Sequence, residues 1–151
     1  NILEFFPHDY FLGLAYYYEG NKKLASESFN KSIEYLNDQI ILYPDDARFY
    51  TSIGIAYARL GDKQKAIEFG LKGVEVLPIN KDAFFGPNHE KGLARIYSIV
   101  NEKIKALEMI EYLSSIPNGL HYGELLSDPD FDFIRDEIRF QNILLKLEPK
   151  S

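Results

Sequence analysis

Apolar side chains recur along this chain at three- and four-residue intervals, the period of an amphipathic helix, and Gly, Asn, Asp and Pro punctuate the runs. Phe11, Leu12, Ala15 and Tyr16 mark a first helix over Asp9–Glu19, closed by Gly20-Asn21. Its partner runs from Lys22 to Tyr43, where Pro44 stops it. Asp45 or Asp46 caps the next helix, Ala47–Leu60, and Gly61-Asp62 turns the chain into Lys63–Val76. Beyond Pro78 a loop spans Ile79–Pro87; helices over Glu90–Val100 and Glu102–Ser115 follow, and Pro117-Asn118-Gly119 breaks the pattern. One more helix lies within Asp128–Leu147, clearest over Asp136–Leu147, where Phe140, Ile143, Leu144 and Leu147 form an apolar stripe.

The pattern repeats with drift. Gly54, Tyr57, Gly61 and Ala66 have counterparts at Gly13, Tyr16, Gly20 and Ala25 upstream, and at Ala94, Tyr97, Asn101 and Ala106 downstream. A single helix pair cannot bury its apolar face alone, so such units stack into a superhelix whose usual work is binding. The expected fold class is all-α: an α-α superhelix of about three helix pairs. The expected repeats are near 6–46, 47–86 and 87–120, and the C-terminal stripe over 121–151 should cover the last open face. Gly13 to Gly54 is 41 residues and Gly54 to Ala94 is 40, against about 34 for the commonest helix-pair unit. The first surplus lengthens the second helix through Asn37–Leu42, and the second is the Ile79–Pro87 loop.

Ala47–Asn80 reads ARFYTSIGIAYARLGDKQKAIEFGLKGVEVLPIN and resembles the tetratricopeptide repeat, with Tyr50, Ile53, Gly54, Tyr57, Ala66 and Pro78 at its signature places. Gly70 and Gly73 depart from that pattern, standing where a bulky residue and an alanine are usual. These are packing residues: Gly54 and Ala66 let the paired helices approach while Tyr57 fills the space beneath. A narrower resemblance rests on KDAFFGP, ALEMIEYLSSIP and LLSDPDFDFIRDEIRFQNILLKL, between Lys81 and Leu147. These stretches look like the C-terminal repeat regions of bacterial multidomain signalling proteins, where similar repeats follow a protein-kinase, nucleotide-cyclase or winged-helix domain. That resemblance implies one tetratricopeptide domain forming the C-terminal part of a larger regulator. It carries no kinase or cyclase chemistry, since no residue here matches those motifs.

With 151 residues, 46% hydrophobic and 15% aromatic, the chain can fill one continuous core. Zero cysteines exclude a disulfide framework, thiolate zinc sites and a cysteine nucleophile, and suit a reducing compartment. No apolar run approaches the roughly 20 residues of a membrane span, so a cytoplasmic location without membrane contact by this segment is expected. The net charge of −6 argues against a nucleic-acid binder, which normally carries a clustered basic face. The charge is also uneven. Residues 1–40 hold three basic and six acidic side chains, residues 41–120 ten of each, and residues 121–151 four basic and seven acidic.

Candidate chemistry is thin. Asp128, Asp130 and Asp132 begin like a calcium loop, but Phe133 stands where Gly is needed and Arg139 where a bidentate Glu is needed. They fit better as acids ahead of a helix N-terminus. His89-Glu90 fails as a zinc motif because Leu93 occupies the second histidine place. His8, His89 and His121 sit in different connecting segments and read as surface histidines. Gly86–Gly92 lacks the Gly-Lys-Ser/Thr ending of a phosphate loop. No catalytic residue, metal site or cofactor is expected.

What remains is a surface. In tetratricopeptide proteins the first helix of each pair lines the concave face, and the resemblance places Tyr10, Leu14, Tyr17 and Tyr18 from the first repeat in or near that groove. Arg48, Thr51, Ile55 and Arg59 come from the second, and Lys91, Arg95 and Ser98 from the third. An aromatic end followed by basic residues suits an extended acidic or aromatic segment of a protein or peptide, or the chain's own upstream domain. Charge reversal at Arg59 or Arg95 is then expected to weaken binding without lowering stability. The carboxylate-clamp subgroup that holds chaperone tails is not matched, because Tyr10, Leu14, Ser52, Asn88 and Gly92 replace its Lys, Asn, Asn, Lys and Arg. The expected function is a noncatalytic protein-binding scaffold, with homodimerisation as the alternative. Ile2, Leu3, Phe5 and Phe6 resemble the remnant of another helix whose apolar edge would self-associate.

Overall fold

The computed structural model describes residues 4–149. Its helices are α1 (His8–Tyr18), α2 (Lys22–Leu42), α3 (Ala47–Leu60), α4 (Lys63–Val76), α5 (Gly86–Ile99), α6 (Lys103–Leu113), α7 (Tyr122–Ser127) and α8 (Ile138–Leu147). A 3-10 helix, Pro129–Ile134, sits between α7 and α8, and no strand occurs among the described residues. Helix α1 packs on α2, α3 on α4 and α5 on α6. The pairs then stack through α2 against α3 and α4 against α5, giving an all-α superhelix of stacked helix pairs.

One turn is used three times. Gly20 (φ 79), Gly61 (φ 81) and Asn101 (φ 61) all adopt the left-handed conformation that ends a helix. The next N–H reaches back to a tyrosine carbonyl in each: Asn21 to Tyr16 at 2.9 Å, Asp62 to Tyr57 at 3.0 Å and Glu102 to Tyr97 at 2.8 Å. In the first two turns that same residue caps the following helix, Asn21 accepting from Leu24 N–H and Asp62 from Lys65 N–H. This is why Gly-Asn and Gly-Asp recur with the repeat.

Gly70 and Gly73, the two departures from the repeat pattern, have a packing cause. A Cβ on Gly70 would lie 2.7 Å from Ile96 Cδ1, and one on Gly73 2.5 Å from Thr51 Oγ1. Gly54 needs the same space, its Cβ position being 2.7 Å from Ile96 Cδ1 and 2.9 Å from Gly70 N. The three glycines thus let α3 and α4 close up and admit Ile96 of α5 between them. Tyr10, Phe29, Ile33, Leu36, Phe49, Ile53 and Ile96 fill this end of the core. Leu107, Ile110 and Leu113 of α6 fill the other, covered by Phe140, Ile143 and Leu144 of α8.

Three local expectations change. Helix α5 begins at Gly86 instead of Glu90, because Pro87 stands in its first turn, where a missing N–H costs nothing. Residues 122–134 hold α7 and the 3-10 helix, both too short to show a period, with Leu125, Phe131 and Ile134 anchoring them in the core. Residues 4–7 are not helical. Phe6 stacks on Tyr10 at 4.4 Å and Phe5 meets Phe49 edge-on at 5.3 Å, so these rings are half-buried against the first two pairs and do not form an open edge. Ile2 and Leu3 lie outside the described residues.

Candidate functional site

The cations of the expected groove come from one face of α3 and α5, and each already meets a carboxylate of the same chain. Arg59 Nη2 donates to Asp130, and Arg95 Nη1 to Glu4. Arg95 Nε donates to Asp128 Oδ2 at 2.7 Å, and Lys91 Nζ to Glu124 Oε1 at 3.0 Å. Three of these four carboxylates sit on the run from α7 into the 3-10 helix. The run is locally built: Asp128 accepts from Asp130 N–H at 2.9 Å to start the turn at Pro129. Arg135 then clamps it, donating to Leu125 O at 2.8 Å and Asp128 O at 2.9 Å. Phe131 and Ile134 hold it by burial.

Arg59 and Arg95, expected to meet a partner's acids, are therefore consumed within the fold. The Arg59 side chain is 1% exposed and that of Asp130 13%. Burial works against the Arg59 charge, but the Asp130 carboxylate together with Tyr10 and Tyr18 outweighs it and raises the guanidinium pKa further. Arg95 is held the same way, burial being overcome by Glu4 and Asp128. Burial pushes the Asp130 carboxyl above its ordinary range, Arg59 pulls it down, and nearby Asp128 adds to the rise. Reversing Arg59 would set two carboxylates together in a buried place, so its substitution must cost stability as well as any binding.

The other groove residues separate by exposure. Tyr10, Thr51, Ile55 and Ser98 are buried, and burial followed by the Asp130 charge pushes the Tyr10 phenol far up. Leu14 is half-buried. Tyr17 and Tyr18 stand out to solvent with Phe11, Tyr18 at 60% and Phe11 at 57% exposed. Arg48 forks onto Asp46, with Nε–Oδ1 at 2.9 Å and Nη2–Oδ2 at 2.6 Å, and those hydrogen bonds hold the Asp46 carboxyl below its ordinary range.

His89 is not a surface histidine. It lies on α5 and is buried, its Nδ1 2.9 Å from Thr51 Oγ1. Thr51 Oγ1 also lies 3.1 Å from Ala47 O, so the hydroxyl can donate there while accepting from the ring when Nδ1 carries the proton. Burial lowers the His89 pKa, partly offset by Asp46.

Three clefts surround these residues. One of about 560 Å³ lies between Glu4–Phe6 and Asp128–Asp130, above Tyr10, Phe11 and Leu14. A second, of about 350 Å³, is lined by Tyr17, Lys22, Ser26, Arg59 and Phe133 among others. The third, of about 650 Å³, lies at the opposite edge between Tyr43, Arg48, Phe85 and His89. Among the described residues no His, Asp and Glu cluster is arranged to hold a metal ion, and no helix is long and apolar enough to cross a membrane. The acids Glu4 and Glu124 escape the sequence reading, and Asp128 and Asp130, expected only as acids ahead of a helix N-terminus, also meet Arg95 and Arg59. Their trace was the excess of acid at both ends around a balanced middle.

A family model, tetratricopeptide repeat, matches residues 10–36 and 47–76. The matched spans fall on α1–α2 and α3–α4, and they support a tetratricopeptide family for the chain. Repeats of this kind are generally noncatalytic scaffolds for protein–protein interaction.

Proposed function

We propose that the chain is a noncatalytic module that binds a protein or peptide, serving as the C-terminal regulatory part of a larger cytoplasmic signalling protein of bacterial type. The observation that carries the binding role is the row of exposed rings on α1: Phe11, Tyr17 and Tyr18, beside clefts on either side of Arg59. Aromatic side chains left in water at a groove give large contact area at low entropic cost. Three of the four cations of α3 and α5, Arg59, Lys91 and Arg95, keep a different job from the one expected of them, tying Glu4 and the 124–130 stretch to the middle of the fold, while Arg48 pairs with neighbouring Asp46. Pull-down with the whole chain, followed by light scattering on the eluate, tests this reading. A monomer that retains a partner supports it, and loss of that partner on changing Tyr17 and Tyr18 to Ala would place the contact on α1. Retention of the same partner by that variant would move the contact elsewhere.

A second reading is assembly of the parent protein. Ile138 (79% exposed) and Leu145 (68%) stand on the outer face of α8, seven residues and two turns apart. A dimer without a partner, dissociated by Ile138→Ser and Leu145→Ser, would favour it over the binding reading.

A further inference from the structure

The cleft beside Tyr17 differs from its neighbours in charge. Lys22 and Arg59 are the charged residues in its lining, and no carboxylate lines it. Lys22 is exposed and forms no ion pair among the described residues. Arg59 has given Nη2 to Asp130, but its Nε is a buried donor without an acceptor among the described residues. Such a donor carries an uncompensated desolvation cost, and an incoming acceptor would remove it. Above the guanidinium lie two rings, Tyr17 with its centroid at 5.2 Å and Phe133 at 5.7 Å. Both rings are 38% exposed, so the aromatic border of the cleft is open to solvent.

The chain also displays what this surface accepts. Its own run Asp128-Pro129-Asp130-Phe131-Asp132-Phe133 puts one carboxylate on Arg95, the next on Arg59, and a phenyl ring over Arg59. We infer that the cleft is the next place along the same track: a subsite for an extended partner segment carrying an Asp or Glu side chain next to an aromatic residue. The carboxylate bridges Lys22 and Arg59 Nε, and the ring packs against Tyr17 and Phe133. Charge-assisted bonds from an arginine and a lysine, bordered by aromatic faces, select an acidic–aromatic pair over an acid alone. This inference rests on the binding role proposed above and adds to it the chemistry and the address of the ligand.

The test uses the full chain and a synthetic peptide, acetyl-Asp-Pro-Asp-Phe-Asp-Phe-Ile-amide, copied from residues 128–134, with a fluorescent label for anisotropy. Amide shifts in a 15N-labelled protein give the position. Saturable binding is expected, with shifts centred on Tyr17, Lys22 and Ser26. Lys22→Glu, and replacement of the peptide's Asp residues by Asn, should each weaken it by at least about tenfold, or about 1.4 kcal/mol. Lys22 is exposed, so the melting temperature of Lys22→Glu should match that of the wild type. Absence of saturation at millimolar peptide overturns the inference, as does equal affinity for Lys22→Glu. Shifts centred on Arg95 and the 3-10 helix would mean that the peptide displaces the chain's own segment, which also overturns it. A natural partner whose binding ignores Lys22→Glu and Tyr17→Ala sinks this subsite while leaving the binding role standing.

Discussion

The Arg59–Asp130 pair should respond asymmetrically to losing one member. Asp130→Ala leaves a guanidinium whose side chain is 1% exposed facing no carboxylate. Arginine cannot shed its proton to escape, so the cost should be about 3–5 kcal/mol. Arg59→Met leaves Asp130 alone, and a carboxyl already raised by burial can protonate, which makes the loss smaller at low pH. The sign follows from linkage. The folded pKa lies above the ordinary 3.8, so the native state holds the extra proton, and stability of Arg59→Met falls as pH rises out of that window. Replacing both, Arg59→Met with Asp130→Leu, should come close to neutral, leaving a coupling energy of about 3 kcal/mol or more. Chemical denaturation followed by circular dichroism at pH 5 and pH 7.5 measures all four corners of the cycle. At about 2–4 °C per kcal/mol for a chain of this size, Asp130→Ala should melt about 6–20 °C lower. A variant Asp130→Ala within about 1 kcal/mol of wild type would show that the acidic segment is not anchored by this pair. A pH-independent cost for Arg59→Met would refute the role of burial.

Other outcomes follow from the same packing. Phe140→Ala empties a fully buried site under α6 and should cost about 3–5 kcal/mol by thermal melting. Ending the chain after Gly123 removes Phe131, Ile134, Phe140 and Ile143 together, so a truncated protein that melts like the whole would contradict the covering role of α8. His89 sits between Asp46, Arg48 and Thr51 with a pKa below its ordinary 6.5, so its contribution to stability is complete above that value and declines as pH falls through it. Urea midpoints at pH 7.5 and 5.5 should differ less in His89→Gln than in wild type. Gly92→Ala would place a Cβ 2.2 Å from Thr51 Cγ2, and Thr51 is held by bonds to Ala47 and His89, so a loss of about 1–3 kcal/mol is expected in denaturant melts.

The helices of the first two pairs are legible because each carries its own period and its own punctuation: Gly20-Asn21 and Gly61-Asp62 end one helix and cap the next. Where structure depends on distant burial, local reading fails. Pro87 looks like a loop residue until it is seen in the first turn of α5, and Phe131 holds a 3-10 helix only because α5 and α8 enclose it. The candidate groove divides the same way. Its cations follow from the repeat pattern, since they recur on the first helix of the second and third pairs. Their carboxylates do not, because Asp128 lies 33 residues from Arg95 and Asp130 lies 71 from Arg59, with nothing in between to announce the pairing.

Those separations set an order in time. Arg59 and Arg95 leave the ribosome well before Asp128 and Asp130, and at about 5–20 residues per second Asp130 trails Arg59 by roughly 4–14 s. Pairings so far apart along the chain close late, after local helix pairs have formed. The growing chain therefore passes through a stage in which its trough is open and positive, and the later stretch from Glu124 to Asp130 shuts it.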